Sequence, residues 1–393
     1  MRVFYVHEES LPSKSRLGRH VYGVGCGLAD WGCEVCLVLM RGSGTVEEMH
    51  AFYSEKKPNQ PLQRLKVWPV FSLAPLMRHF GVDSSWPMLP LTRSVIDCIQ
   101  PHVLLCSSWE AASFFLQRKD AEMRYVQELF TLPFYSQENE AYQTIRLQDQ
   151  KKIIQLKQVL HAVDLVIVPT QEILQQLQKP PYFIRETKIK VLPFASSEHC
   201  LPRRIDLDDS FIKLFYVGDL DESNGLEDLA YAMEGMVDFE LHLVTQDIER
   251  IQETRDLLEP ILGPSHLFFH NPLHPEERRE LLSQASAFVA PFRRNSPALY
   301  EGHPSLPDYM AWCRPILAPH FPVIRHLLPK GPWEGLLYEP GSIEALQAKL
   351  QLLQNTTYRF MISDSLYECP LEQCSQRSRT HHLKRLLQIC RSS

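Results

Sequence analysis

No uninterrupted apolar run in this chain approaches the roughly 18–20 residues that a membrane-crossing helix requires, although apolar residues fill 44% of its 393 positions. Positive charge is not in excess either. The formal net charge is −6, which excludes a protein that holds nucleic acid through a general positive field. The ten cysteines show no repeated paired spacing, and the one close pair, Cys33 and Cys36, leads from a helix end into an apolar strand. A buried thiol pair is therefore expected there in place of a zinc or redox site, and reduced thiols fit a cytosolic setting. There is no nucleophile elbow, no Ser/His/Asp order, no internal repeat and no low-complexity tract.

What is present is ordinary globular composition, with 22% charged residues and a length that implies roughly two domains of about 200 residues each. The opening Met1-Arg2-Val3-Phe4-Tyr5-Val6-His7-Glu8-Glu9 reads as a strand, not as a signal peptide. A cytoplasmic location is expected, with room for peripheral contact with a membrane surface.

Short apolar runs alternate with helical patterns from the start, the signature of parallel sheets covered by helices on both faces. A first set of strands is predicted at Arg2–Val6, Glu34–Met40, His102–Cys106, Arg124–Glu128, Asp164–Val168 and Lys188–Leu192. The polar stretch Ser196–Ser210 reads as a linker. A second set follows at Ile212–Val217, Glu240–Val244, His266–His270, Ala287–Ala290, Ile316–Ala318 and Gly335–Tyr338. The proline-rich stretch Phe52–Pro90 is predicted to be irregular. Ser342 is placed to cap a helix behind Pro340-Gly341, and a final helix presents Leu383, Leu386, Leu387 and Cys390 as an apolar stripe.

Three segments carry candidate chemistry. In the first, Ser15-Arg16-Leu17-Gly18-Arg19-His20, Gly18 either merely turns the chain between strand and helix or lets Arg19 and His20 meet an acceptor or a phosphate. The dinucleotide fingerprint Gly-x-Gly-x-x-Gly is missing here, because Gly23, Gly25 and Gly27 fall too far past the strand. The second, Tyr216-Val217-Gly218-Asp219 through Asn224-Gly225-Leu226, is a strand, a loop with two glycines and an amphipathic helix. In an open α/β sheet a ligand lies beyond the carboxyl ends of the strands, where this loop would sit.

The third segment runs from Pro291-Phe292-Arg293-Arg294 to Tyr300-Glu301-Gly302-His303-Pro304-Ser305-Leu306-Pro307-Asp308. Two carboxylates flank a Gly/Pro/Ser stretch that opens a helix, an arrangement suited to a ribose, a sugar and a diphosphate together. Arg293 and Arg294 are either a solvated pair or the cations that neutralise a diphosphate. Asp308 is either a helix-dipole partner or a ligand group. His266, His270 and His274 have no acidic companion at a metal-site spacing, and no metal is expected.

These residues resemble the retaining glycosyltransferases of the GT-B fold, family four, over nearly the whole chain and most clearly from Phe215 to Leu353. That family shows a Val-Gly, an Arg and a Lys-Gly pair; Gly218 and Gly225 match, while Asp219 stands for the Arg and Asn224 for the Lys. Glu301 resembles its first Glu. Asp308-Tyr309-Met310-Ala311-Trp312-Cys313-Arg314-Pro315 resembles the second Glu with its tail, one residue short, with Asp for Glu and Cys313 for Gly. The family's first-domain His has no counterpart, since the matching regions carry Glu110 and Glu128.

The resemblance implies an α/β, GT-B fold: two Rossmann-like domains facing a cleft, at 1–205 (acceptor side) and 206–374 (donor side), with a helix at 375–393 crossing back to the first. It implies transfer of a hexose from a nucleoside-diphosphate sugar to a hydroxyl-bearing acceptor with retention, without metal or organic cofactor. Asp308 would bind the ribose and Glu301 the donor sugar. The N–H groups of Gly302, His303, Ser305 and Leu306 would receive the diphosphate, with Gly218, Asp219, Asn224, Arg293 and Arg294 around it and Gly18, Arg19 and His20 on the acceptor side. A Rossmann oxidoreductase lacks its fingerprint. The substitutions at Asp219 and Asn224 keep a degenerate GT-B binding or assembly protein open as the alternative.

Overall fold

The computed structural model describes residues 1–7, 11, 16–39, 48–49, 65–69, 100–117, 119–120, 122–132, 147–196, 211–271, 275–294, 296, 305–327, 331–367 and 375–392. The chain divides into two units, Met1–Ser197 with Ser375–Ser393, and Glu198–Cys374.

The first unit runs β1 (Arg2–His7), α1 (Arg16–Asp30), β2 (Glu34–Leu39), β3 (Leu65–Pro69), β4 (Val103–Cys106), α2 (Trp109–Leu116), β5 (Arg124–Glu128), α3 (Leu147–Ala162), β6 (Leu165–Val168), α4 (Gln171–Gln178) and β7 (Ile189–Val191). The seven strands form one sheet in the order β3-β2-β1-β4-β5-β6-β7, and every pairing is parallel. Strands buried on both faces must be apolar throughout, which is why β1, β2, β4 and β6 read as continuous runs. Helix starts follow capping chemistry. Ser108 accepts from the N–H of Ala111 ahead of α2, and Thr170 accepts from Ile173 ahead of α4.

The second unit runs β8 (Ile212–Val217), α5 (Leu226–Met233), β9 (Phe239–Val244), α6 (Ile251–Leu262), β10 (Leu267–His270), α7 (Pro275–Ser283), β11 (Ala287–Val289), α8 (Ser305–Ala311), β12 (Ile316–Pro319), α9 (Pro322–Leu327), β13 (Leu337–Tyr338), α10 (Ile343–Gln354) and α11 (Thr356–Tyr367). Its six strands pair in the order β10-β9-β8-β11-β12-β13, again all parallel. Ser342 caps α10 by accepting from Ala345 at 3.1 Å. In both sheets the winding reverses beside the first strand, at β1/β4 and at β8/β11. Such a switch point opens a crevice at the carboxyl ends of the strands.

The last helix, α12 (Gln376–Ser392), belongs to the first unit. Its stripe of Leu383 and Leu387 is fully buried in the core cluster of β1, β2 and α1, with Leu386 and Cys390 packed against it. Gly27 explains the closeness of α1 and α12: a Cβ there would lie 2.5 Å from the Thr380 side chain, so only glycine admits the approach. Gly23 likewise meets Gln376 of α12, whereas Gly25 lies against Leu37 and Leu65 of the sheet.

The predicted strands are found with ends shifted by a residue or two, the last one shortened where a 3-10 turn (Pro332–Leu336) takes its first residues. One strand departs from the reading. β3 lies inside the stretch expected to be irregular, and its pairing with β2 supplies order that the local sequence does not announce. Cys33 and Cys36 are buried free thiols, and burial pushes the Cys36 thiol up to about 11. Among the described residues no helix is long and apolar enough to cross a membrane.

Candidate active site

The switch point of the second unit is built from three segments that meet at the end of β8. Gly218 follows the strand and donates its N–H to Val244. The loop then folds on itself, because the carbonyl of Asp219 accepts both the Tyr216 hydroxyl at 2.6 Å and the Asn224 side-chain amide at 2.8 Å. The Asp219 side chain is exposed. Gly225 closes the loop in the left-handed region, φ 65°, and a Cβ on it would stand 1.9 Å from the Pro291 carbonyl oxygen. The β8 and β11 loops therefore touch at backbone distance, which fixes the floor of the crevice.

Helix α8 is the third segment. The Ser305 hydroxyl donates to the Val217 carbonyl at 3.1 Å, and the Tyr309 hydroxyl accepts from the Val217 N–H at 2.9 Å. Tyr309 also stacks flat on Phe288 of β11, ring centroids 4.5 Å apart. Pro307 is tolerated because it falls in the first turn, where the N–H is not needed. Ser305, Leu306 and Asp308 are all buried, and a guanidinium nitrogen of Arg278, from α7, lies 4.0 Å from the Asp308 carboxylate. Glu301, Gly302 and His303 lie outside the described residues, as does His274.

Both arginines of the segment are matched to carboxylates. Arg293 donates to Asp228 through Nε at 3.0 Å and Nη2 at 2.6 Å, and to Glu227 at 3.0 Å. These bonds, Asp228 first, push its pKa well above the ordinary range. The Arg293 N–H bonds the Ser223 carbonyl at 3.0 Å, so this residue clamps the β11 loop to the start of α5. Arg294 is exposed and reaches Glu339 at 2.6 Å and the Pro340 carbonyl at 3.1 Å.

The first unit carries a polar cluster at its own switch point. The His7 ring at the end of β1 lies 2.8 Å from the Ser107 hydroxyl, just past β4. Beside them Glu128, ending β5, pairs with Arg379 of α12 at 2.6 Å, with side chains 1% and 4% exposed. The Tyr5 hydroxyl donates to the other carboxylate oxygen. Burial alone would push the Glu128 carboxyl up, but the Arg379 guanidinium and the His20 ring together outweigh it and hold it at about 2. Gly18, Arg19 and His20 sit on α1, which begins at Arg16, and not in a loop between strand and helix. The His20 imidazole faces inward, edge-on to Phe130 and Phe194 and 3.7 Å from Glu128; burial, then Arg379, lower its pKa.

Sequence reading singled out neither Arg278, Arg379 nor His7. No local signal marks the first two, since each acquires its partner only through tertiary structure. His7 could have been found as the polar residue ending an apolar strand. In the second unit, His266 bonds the Phe239 carbonyl at 2.8 Å and His270 lies 3.0 Å from His242. Among the described residues no group of three His, Cys, Asp or Glu side chains is gathered as a metal site.

Residues 212–355 match the family model described as Glycosyl transferases group 1. No curated protein sequence matches the chain. Among solved structures, sucrose-phosphate synthase from Thermosynechococcus elongatus aligns over 100% of both chains with a TM-score of 0.72 at 16% identity. HepE of Anabaena in complex with UDP aligns over 99% of this chain and 100% of its own, with a TM-score of 0.67 at 11% identity. TarM aligns over 98% of both chains, with a TM-score of 0.72 at 11% identity. The chain thus has the GT-B fold of two Rossmann-like domains, and residues 212–355 of its second unit are similar to the group 1 glycosyl transferases.

Proposed function

We propose that this protein transfers a hexose from a nucleoside-diphosphate sugar to a hydroxyl-bearing acceptor with retention of configuration, acting in the cytoplasm. The observation that carries the reading is the convergence at the end of β8. The start of α8 with Asp308 is bonded to the end of β8 across 88 and 92 residues of sequence, and the β11 loop closes on the Gly218–Gly225 loop through the Arg293 N–H and the Ser223 carbonyl.

In this reading the second unit holds the donor. The Asp308 carboxylate, steadied by Arg278, accepts hydrogen bonds from the ribose hydroxyls, and Glu301 positions the sugar. The diphosphate is met by the N–H groups of Gly302, His303, Ser305 and Leu306, which act on developing leaving-group charge without reorganising. Arg293 works at one remove, holding the loop against α5, while its own charge is balanced by Asp228 and Glu227. The first unit binds the acceptor near His7, Ser107, Arg19 and His20, and catalysis rests on positioning.

One observation favours a second reading, a GT-B protein that binds or assembles without turnover. The loop that faces the diphosphate carries Asp219, and Arg293 is already neutralised by Asp228 and Glu227. The experiment is incubation with UDP-, GDP- and ADP-hexoses, with sugar release or transfer followed by NMR. Turnover that yields the donor's own anomer and is lost in Glu301→Ala supports the enzyme. Nucleotide binding without turnover supports the second reading.

A further inference from the structure

The chain is acidic overall, yet the stretch 151–190 carries seven Lys and Arg residues against three Asp and Glu. Of these acids, Asp164 pairs with Lys119 and Glu186 accepts from the Gln178 amide. Helix α3 buries Ile153, Leu156, Val159 and Leu160 against the first unit. Its outer stripe, at spacings of three and four, runs Lys151, Ile154, Lys157 and His161, with Ile154 55% exposed.

That stripe ends at a second apolar residue. The His161 ring bonds the Tyr182 carbonyl at 2.9 Å, and the Lys157 ammonium lies 5.5 Å from the centre of the Phe183 ring. Phe183 is 58% exposed, although its backbone is well held. Tyr182 and Ile184 on either side are buried, and the N–H groups of Phe183 and Ile184 bond Lys179 and Leu177 at 3.1 and 2.8 Å. Phe183 sits in the left-handed region, φ 54°, a conformation that residues with a side chain disfavour. The fold thus holds an aromatic ring outward against both its solvation and its backbone preference. Lys179, whose carbonyl accepts the Phe183 N–H, and Arg185, two residues on, are exposed beside it.

We propose that this face of the first unit, centred on Phe183 and Ile154, docks on the surface of an anionic membrane. Two apolar side chains would enter the headgroup region while Lys151, Lys157, Lys179 and Arg185 meet lipid phosphates, the combination that interfacial binding requires. A stable hydrophobic protein interface would carry fewer lysines at its centre. The docking is independent of the donor chemistry, and its assay contains no nucleotide.

The test is cosedimentation of the full chain with vesicles of phosphatidylcholine alone and of phosphatidylcholine mixed with phosphatidylglycerol, at low and high salt. Binding to the anionic vesicles only, weakened by salt, is expected. Phe183→Gly, which also relieves the left-handed backbone and so keeps the fold, lowers partition about tenfold or more. Lys151→Gln and Lys157→Gln each lower it about fivefold. Val237→Ser, an exposed apolar residue of the second unit, 69% exposed, leaves it unchanged. Absence of binding to anionic vesicles at low salt overturns the proposal, as does equal binding by Phe183→Gly. Capture of nucleic acid or acidic protein in place of vesicles also counts against it.

Discussion

Replacing Arg379 by Met leaves the Glu128 carboxylate buried with no cation beside it. The pair sits at 2.6 Å with side chains 4% and 1% exposed, a setting in which removing one partner costs about 3–5 kcal/mol. A second route gives a similar size. The Glu128 carboxyl is held at about 2 against an ordinary value of 4.5, which corresponds to roughly 3 kcal/mol of folded-state stabilisation at neutral pH. Because Arg379 enters from α12, the loss falls first on the docking of that helix. A drop of about 3 kcal/mol in local opening raises amide exchange by about two orders of magnitude. Hydrogen exchange of peptides covering residues 376–392 at pH 7 measures it. The double variant Glu128→Gln/Arg379→Met, with no charge left to orphan, should recover most of the protection. Exchange within a few-fold of wild type in Arg379→Met would refute the reasoning, as would a double variant as labile as the sum of the singles.

Gly225→Ala forces a methyl to 1.9 Å from the Pro291 oxygen at φ 65°; a destabilisation of about 2–4 kcal/mol and weakened nucleotide affinity are expected from denaturant unfolding and titration. Cys313, at φ 50°, occupies a helix end where glycine is favoured, so Cys313→Gly should cost less than about 1 kcal/mol or stabilise, because backbone relief offsets the lost thiol contacts. His242 is held down at about 3 by burial, then by His270 and Lys213. A depressed histidine keeps its neutral form when folded, so stability is lost as pH falls from about 6.5 towards 3; His242→Gln should flatten that part of the profile. The Glu128 contribution has its own window, fully present above about 4.5 and lost as pH falls through 2.

The sheets were legible because parallel strands buried on both faces are written as short apolar runs, and the cap at Ser342 as a polar residue ahead of helical periodicity. β3 was not, since Leu65–Pro69 lies among prolines and becomes a strand only by pairing with β2. The Gly218–Gly225 loop and Asp308 were recognisable from glycine placement and a carboxylate at a helix start. Their convergence on Val217 was not, because the Ser305 and Tyr309 bonds span 88 and 92 residues. Arg293 illustrates the limit most clearly. A basic residue beside a diphosphate motif invites a ligand role, but its partners Asp228 and Glu227 lie 65 and 66 residues away, and charge pairing over such distances leaves no mark in the local pattern. The same holds for Arg379 and Glu128, 251 residues apart.

The central claim is that the crevice at the end of β8 holds a nucleoside diphosphate through Asp308. Its most direct test is the thermal unfolding of wild type and Asp308→Ala with UDP, GDP and ADP at millimolar concentration. One of the three should raise the wild-type Tm, as any ligand that prefers the folded state does, and the rise should shrink or vanish in Asp308→Ala. No shift with any nucleotide, or an equal shift in both proteins, would contradict it.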